Sequence, residues 1–185
     1  MFPDGREQLG QFVSGQYRVR GDGTVTFSTE PPTSRCMRVS VIGGSTVTDE
    51  QYRQAREVGQ LLGERDHEVV CGGRGGVMEA ACRGASEADG HTIGILPGSH
   101  RGEANQYVET AIATGLGNAR NPLVVLNGDA AIAVDGATGT LSELGHALDF
   151  GRPVAGLGTH RVGGVAGIEH VETPVAAVEY VENEA

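Results

Sequence analysis

The sequence contains no lysine and no tryptophan; all 14 of its basic residues are arginine, set against 24 acidic ones for a formal net charge of −10. Without lysine there is no Schiff-base chemistry and no phosphate loop of the Walker type. The acid excess argues against a nucleic-acid partner, because that affinity rests on cations facing phosphates. Cysteine is scarce as well. Cys36, Cys71 and Cys82 are odd in number and lack C-x-x-C spacing, so neither a disulfide framework nor a zinc knuckle is expected. No apolar run approaches membrane-spanning length, and residues 1–10 are polar overall, without the character of a signal peptide. These absences predict a cytoplasmic protein with no membrane contact. Missing lysine and surplus carboxylate also fit a salt-adapted cytoplasm, with a GC-rich coding bias as the other explanation.

What the chain does have is small apolar material: 38% hydrophobic residues and 30 glycines in 185 positions, enough for a close-packed α/β core. Residues 1–36 stand apart as an appendage. Tyr17-Arg18-Val19-Arg20, Gly21-Asp22-Gly23 and Thr24-Val25-Thr26-Phe27 read as a β-hairpin that sets Val19 opposite Val25 and Tyr17 opposite Phe27. Pro31-Pro32 then reads as an extended linker, the other possibility being a frayed terminus. From Met37 onward, residues 37–185 repeat a strand, glycine turn and helix. Strands are expected at 38–42, 68–71, 91–96, 109–113, 129–134 and 153–157. Thr48 and Gln51 form a capping box before a helix with an apolar stripe at Ala55, Val58, Leu61 and Leu62. Further helices are expected up to about residue 88, over 118–126, up to about 150, and after Thr173-Pro174. This alternation predicts a Rossmann-like α/β fold, a parallel sheet with helices on both faces, plus the short N-terminal hairpin.

In such folds, ligands bind beyond the carboxyl ends of the strands. Three glycine turns fall there: Gly43-Gly44-Ser45-Thr46, Gly72-Gly73-Arg74-Gly75-Gly76 and Gly136-Ala137-Thr138-Gly139-Thr140. Glycine admits a phosphate close to the backbone, and a following helix offers free amides, so an anion can be held without lysine. One such turn would be explained by tightness alone; several on one edge point to a nucleotide or phosphate site. The dinucleotide fingerprint is not met, because Met78 stands at its third glycine position. Arg74 could fork onto a phosphate or simply be an exposed loop arginine. Ser45 and Thr46 could touch a base or ribose, or serve only as turn polarity. Glu143 could stabilise positive charge on a ribose, or be a glutamate favoured by a helix dipole. Glu143 and His146 have Glu-x-x-His spacing, but no second copy supports a metal site. Cys71 and Cys82 read as buried small apolar side chains, and residues 169–184 as a solvated acidic tail.

The stretch Gly72-Gly73-Arg74-Gly75-Gly76-Val77-Met78, followed by Gly136-Ala137-Thr138-Gly139-Thr140-Leu141-Ser142-Glu143, resembles the Lonely Guy (LOG) family over roughly residues 37–183. Within that superfamily the chain is most similar to the small branch that includes molybdenum cofactor carrier proteins. The family loop is P-G-G-x-G-T-x-x-E, with Asp135 here in place of the Pro and Ala137 in place of the second Gly. The family's catalytic Arg, in an E-R-K context, is matched only by Arg120 between Ala119 and Asn121. The resemblance implies cleavage of a nucleoside 5′-monophosphate to a free base and ribose 5-phosphate. Arg120 would be the charge stabiliser and Glu143 the acid/base or oxocarbenium partner. Gly43, Gly44, Ser45, Gly72, Gly73, Arg74, Gly75, Gly76, Met78, Gly136, Thr138, Gly139 and Thr140 would hold the phosphorylated ligand. The alternative is a non-catalytic binding protein or carrier for a phosphorylated cofactor such as molybdopterin. No resident cofactor or metal is implied, and a homodimer or higher homo-oligomer is expected.

Overall fold

The computed structural model describes residues 16–19, 25–28, 36–164 and 166–185. The chain divides into two compact units, residues 1–35 and 36–185. In the first unit, β1 (Gln16–Val19) and β2 (Val25–Ser28) pair antiparallel, with Tyr17 opposite Phe27 and Val19 opposite Val25. That is the register a turn over Gly21-Asp22-Gly23 dictates. The turn and the Pro31-Pro32 linker lie outside the described residues.

The second unit is built on a parallel sheet of β3 (Arg38–Gly43), β4 (Glu68–Cys71), β5 (Thr92–Leu96), β6 (Thr110–Ala113), β7 (Ala130–Val134), β8 (Val154–Leu157) and β9 (Ile168–Val171). Its order is β6-β5-β4-β3-β7-β8-β9, with every neighbouring pair parallel. The helices are α1 (Asp49–Glu64), α2 (Val77–Glu87), α3 (Asn121–Leu126), α4 (Thr138–Asp149) and α5 (Pro174–Glu184). Side chains alternate across each strand, so Val39 and Val41 join Val58, Leu62, Val77, Ala81 and Val178 in one core layer. Ile42, Val70, Ala131 and Ala133 join Val124, Val125, Leu144 and Ala147 in the other. Helices thus cover both faces, and the inner strands are mostly apolar because neither face meets water, with buried Ser40 and Thr92 as polar exceptions.

The helix starts follow their local chemistry. Thr48 Oγ1 accepts from the Gln51 amide at 3.3 Å while Gln51 Oε1 accepts from the Thr48 amide at 2.8 Å, closing the capping box. Thr173 Oγ1 accepts from the Ala176 amide, and Pro174 opens α5. Helices α1 and α2 meet closely because Gly59 and Gly84 leave no room for a Cβ against the backbone of Ala81 and Arg56.

The structure departs from the sequence expectation in three places. β9 was not anticipated: its Ile-Glu-His-Val stretch is a half-exposed edge strand without an apolar run. The helix expected over 118–126 is a 3₁₀ turn, Gly117–Arg120, leading into the short α3. The acidic tail is not merely solvated. Ala177, Val178 and Val181 are buried, and Glu182 sits 2.9 Å from His67 Nε2 and also pairs with Arg65. The Met37 amide donates to Nδ1 of the same buried histidine at 3.3 Å, so His67 ties the start of the domain to its last helix.

Candidate functional site

The sheet order reverses between β3 and β7: later strands run outward from β3 on one side and from β7 on the other. Loops leaving these strands diverge there, opening a crevice at their carboxyl ends. A cleft of about 350 Å³ fills it, at the lower end of the size range of small-molecule sites. Gly43, Gly44 and Ser45 reach it from the end of β3, Arg74 from the β4–α2 connection and Met78 from the first turn of α2. Pro97 follows β5, Asn118, Arg120 and Asn121 come from the turn into α3, and Ala137, Gly139, Thr140 and Glu143 from the start of α4.

The central contact joins Arg120 and Glu143. Arg120 Nη1 donates to Glu143 Oε1 at 2.8 Å, with both side chains only 8% exposed. Burial pushes the Glu143 carboxyl up to about 7, against the opposing pull of the Arg120 charge and hydrogen bond. Arg120 Nε is buried and finds no hydrogen-bond partner among the described residues. Unmade bonds to a buried guanidinium are costly, so that N–H marks a place for an acceptor. Gly72 lets the guanidinium lie where it does: a Cβ there would run into Arg120 Nη2 and come 2.8 Å from Met78 Sδ.

The second anion element is the start of α4. The helix begins at Thr138, which puts Glu143 in its second turn. Ala137 is the N-cap residue and carries no side-chain acceptor, leaving the first amides of α4 uncapped by it. Two consecutive residues of positive φ, Asp135 at 51° and Gly136 at 137°, swing the chain from β7 into this start. A non-glycine residue at such a φ is strained and persists only when its surroundings hold it. The Asp135 amide donates to Leu157 O at 3.1 Å, and the Asp135 carbonyl accepts from Thr159 Oγ1 at 2.7 Å. His160 Nε2, 3.2 Å from the Ala137 carbonyl, braces the same turn.

The remaining residues singled out in the sequence separate by role. Gly76, with φ 68°, packs against the Gly44 and Ser45 backbone, and the Val77 amide donates to Gly44 O at 3.0 Å. The start of α2 is thereby used inside the protein. Gly73 packs on Leu96 and Gly94, and Gly136 on the Thr140 side chain. None of Gly72, Gly73, Gly75, Gly76, Gly136 and Thr138 lines the cleft. Gly75 and Arg74 instead border an adjoining groove with Glu103, Ala104 and Asn105, where Arg74 Nη1 pairs with Glu103 at 2.8 Å. Pro97, Asn118, Asn121 and Ala137 line the cleft without having been singled out in the sequence. Asn121 is buried, and its Nδ2 lies at a long 3.5 Å from Gly139 O. Its position beside Arg120 was the only available signal. Among the described residues, no three His, Cys, Asp or Glu side chains gather into a metal-holding group, and no helix is long and apolar enough to cross a membrane.

Comparison with known proteins agrees with this fold. The model of the SLOG cluster4 family matches residues 36–184. An uncharacterized protein of Archaeoglobus fulgidus is 40% identical over 146 residues, covering 79% of this chain and 95% of that one. The molybdenum cofactor binding protein of the phototrophic bacterium Rippkaea orientalis superposes with a TM-score of 0.75 at 34% identity, over 80% of this chain and 97% of its own. The molybdenum cofactor carrier protein of Chlamydomonas reinhardtii does so with a TM-score of 0.72 at 30% identity, over 81% and 98%.

Proposed function

This chain belongs to the SLOG cluster4 family, and from that premise we propose that it binds a phosphorylated small molecule in the β3–β7 cleft and holds it as a carrier. The class of ligand is a nucleotide-like or molybdopterin-like phosphomonoester. The observation that carries this reading is the buried Arg120, which lines a cleft that also receives the start of α4 and whose Nε finds no partner among the described residues. A phosphate oxygen there satisfies the guanidinium and the first amides of the helix together. Met78 and Pro97 offer apolar surface to a heterocycle, and Asn118 and Asn121 offer amides to its edge. Similarity to the cofactor-binding proteins of Rippkaea orientalis and Chlamydomonas reinhardtii supports a cargo of that kind. In this reading, Glu143 balances the buried arginine until the ligand's phosphate does so, and takes up a proton when displaced.

A second reading is favoured by one specific observation. A carboxyl pushed to about 7 suits proton transfer at neutral pH. Glu143 could then serve phosphoribohydrolase chemistry, with Arg120 stabilising charge and the carboxylate facing a developing oxocarbenium. Both readings meet in one experiment. Nucleoside 5′-monophosphates and molybdopterin are titrated calorimetrically against the protein, and free ribose 5-phosphate is assayed in parallel. Saturable binding without release is expected. Sustained release would replace the carrier with the hydrolase, and no binding across both ligand classes would overturn the proposal.

A further inference from the structure

The cleft rests on a sulfur pair that none of the chemistry above uses. Cys71 is the last residue of β4 and Cys82 lies in α2, so the two flank the Gly72–Gly76 turn. Both thiols are buried, and their sulfurs lie 3.4 Å apart. Cys71 Sγ also accepts from the Gly73 amide at 3.3 Å, so the turn is hung on that sulfur. One residue before, Gly72 lies directly under the Arg120 guanidinium.

We propose that Cys71 and Cys82 are a modification site, oxidised by a hydroperoxide to a disulfide that resets the Gly72–Gly76 turn and with it the seat of Arg120. The sulfurs are already in contact, 3.4 Å apart. Closing 3.4 Å to an S–S bond of about 2.05 Å needs an approach of about 1.4 Å, small enough for one strand end and one helix turn to share. The first step falls to Cys71. Its sulfur accepts from the Gly73 amide beside the seat of the Arg120 guanidinium. The Cys82 thiol, that amide and the Arg120 charge hold the Cys71 thiol low against burial and the Glu143 charge, while Cys82 is pushed up by its bond to Cys71 and by burial. The Cys71 thiolate attacks one peroxide oxygen; the S–O bond forms, the O–O bond breaks, and the departing hydroxide leaves as water after taking a proton. Cys82 sulfur then attacks the Cys71 sulfenic acid. The S–S bond forms, the S–O bond breaks, and the hydroxyl leaves as a second water with the Cys82 proton. Two thiols lose two electrons, and one peroxide gains them.

The structural consequence follows from the Gly73 bond. A sulfur drawn toward α2 moves away from the Gly73 amide, releasing a turn whose Gly73 and Gly76 both have positive φ. This does not depend on which ligand the cleft takes.

The test uses the full chain carrying Cys36→Ser, which leaves only the pair. Hydrogen peroxide is added in slight excess, remaining thiols are alkylated in denaturant, and the chain is digested with trypsin. Cleavage after Arg74 separates the two cysteines, so only a disulfide keeps their peptides joined. The joined pair, reversed by dithiothreitol, is expected, with loss of both thiols. Amide exchange across 72–78 should rise at least tenfold on oxidation, whereas Cys82→Ala given the same treatment should show no such rise. Thiols that survive, or that end as sulfinic acid on separate peptides, would overturn the site. Joined peptides with unchanged exchange across 72–78 would overturn its link to the cleft. Both readouts are independent of ligand binding, so a failed carrier reading would leave this test intact.

Discussion

Two forces act in opposition on Glu143, and replacing it by glutamine measures which one wins. The Arg120 hydrogen bond and charge favour the carboxylate, whereas burial favours the neutral acid and prevails, moving the group from 4.5 to about 7. An acid titrating higher in the folded chain than in the unfolded one binds more protons folded across that window. The unfolding free energy therefore falls as pH rises from about 4.5 to 7 and levels off above. The gap between 4.5 and about 7, at about 1.36 kcal/mol per pH unit, corresponds to about 3 kcal/mol. Glutamine keeps the shape and an oxygen to accept from Arg120 but has no proton to release. Urea unfolding of both proteins from pH 5 to pH 8 should show wild type losing stability relative to Glu143→Gln by most of that amount. In melting temperature this is roughly 5–10 °C for a domain of this size. Any pH effect from other groups appears in both proteins and cancels. A flat difference, or wild type gaining with pH, would refute the reasoning and show the ion pair outweighing burial.

Gly139 has open space where a Cβ would go, its nearest neighbour being Asn121 Nδ2 at 4.0 Å. Gly139→Val should therefore fold normally, yet weaken binding of a phosphorylated ligand at least tenfold by filling the place of the phosphate, as titration calorimetry would show. Gly72→Ala should instead cost stability, on the order of 1–3 kcal/mol in urea unfolding, because its Cβ would displace the Arg120 guanidinium and Met78. A variant beginning at Cys36 should melt as the full chain's larger unit does and bind the same ligands, since Met37 and everything after it belong to that unit. Circular dichroism and calorimetry check this together.

The alternation of elements was readable because the inner strands are short, mainly apolar runs and two of the helix starts carry their own signal, as Thr48-Gln51 and Thr173-Pro174 show. The glycine turns marked the correct edge of the sheet for the same reason. Which glycine faces the cleft was not readable. Gly72, Gly73 and Gly76 are small for the sake of Arg120, Gly94 and Gly44, partners distant in sequence that meet them only through the sheet order. Asn118, Asn121 and Pro97 line the cleft for that reason too, arriving on connections whose sequences carry no ligand-binding pattern. Arg120 stood out only through its resemblance to a family motif, and Glu143 through that and its carboxylate chemistry; burial and the absence of an Nε partner among the described residues needed coordinates. β9 escaped notice because an edge strand needs no continuous apolar run.

The placement of β3 beside β7 also sets the order in which the cleft comes into being. β3 pairs with β7 across some ninety residues of chain, Val39 meeting Ala130 and Gly43 meeting Val134. One wall, with Gly44, Arg74 and Met78, comes early in the chain, whereas Arg120, Thr140 and Glu143 come later, Arg120 reaching back over Gly72. A nascent chain with only the first wall has a glycine turn but neither the buried arginine nor the uncapped helix start. Under the carrier reading proposed above, ligand capture waits until the two halves have joined, and a captured ligand braces them. Cargo and fold are linked by mass action, the loaded protein resisting separation of its halves in proportion to how tightly it is loaded. On that proposal the empty protein is the less stable form.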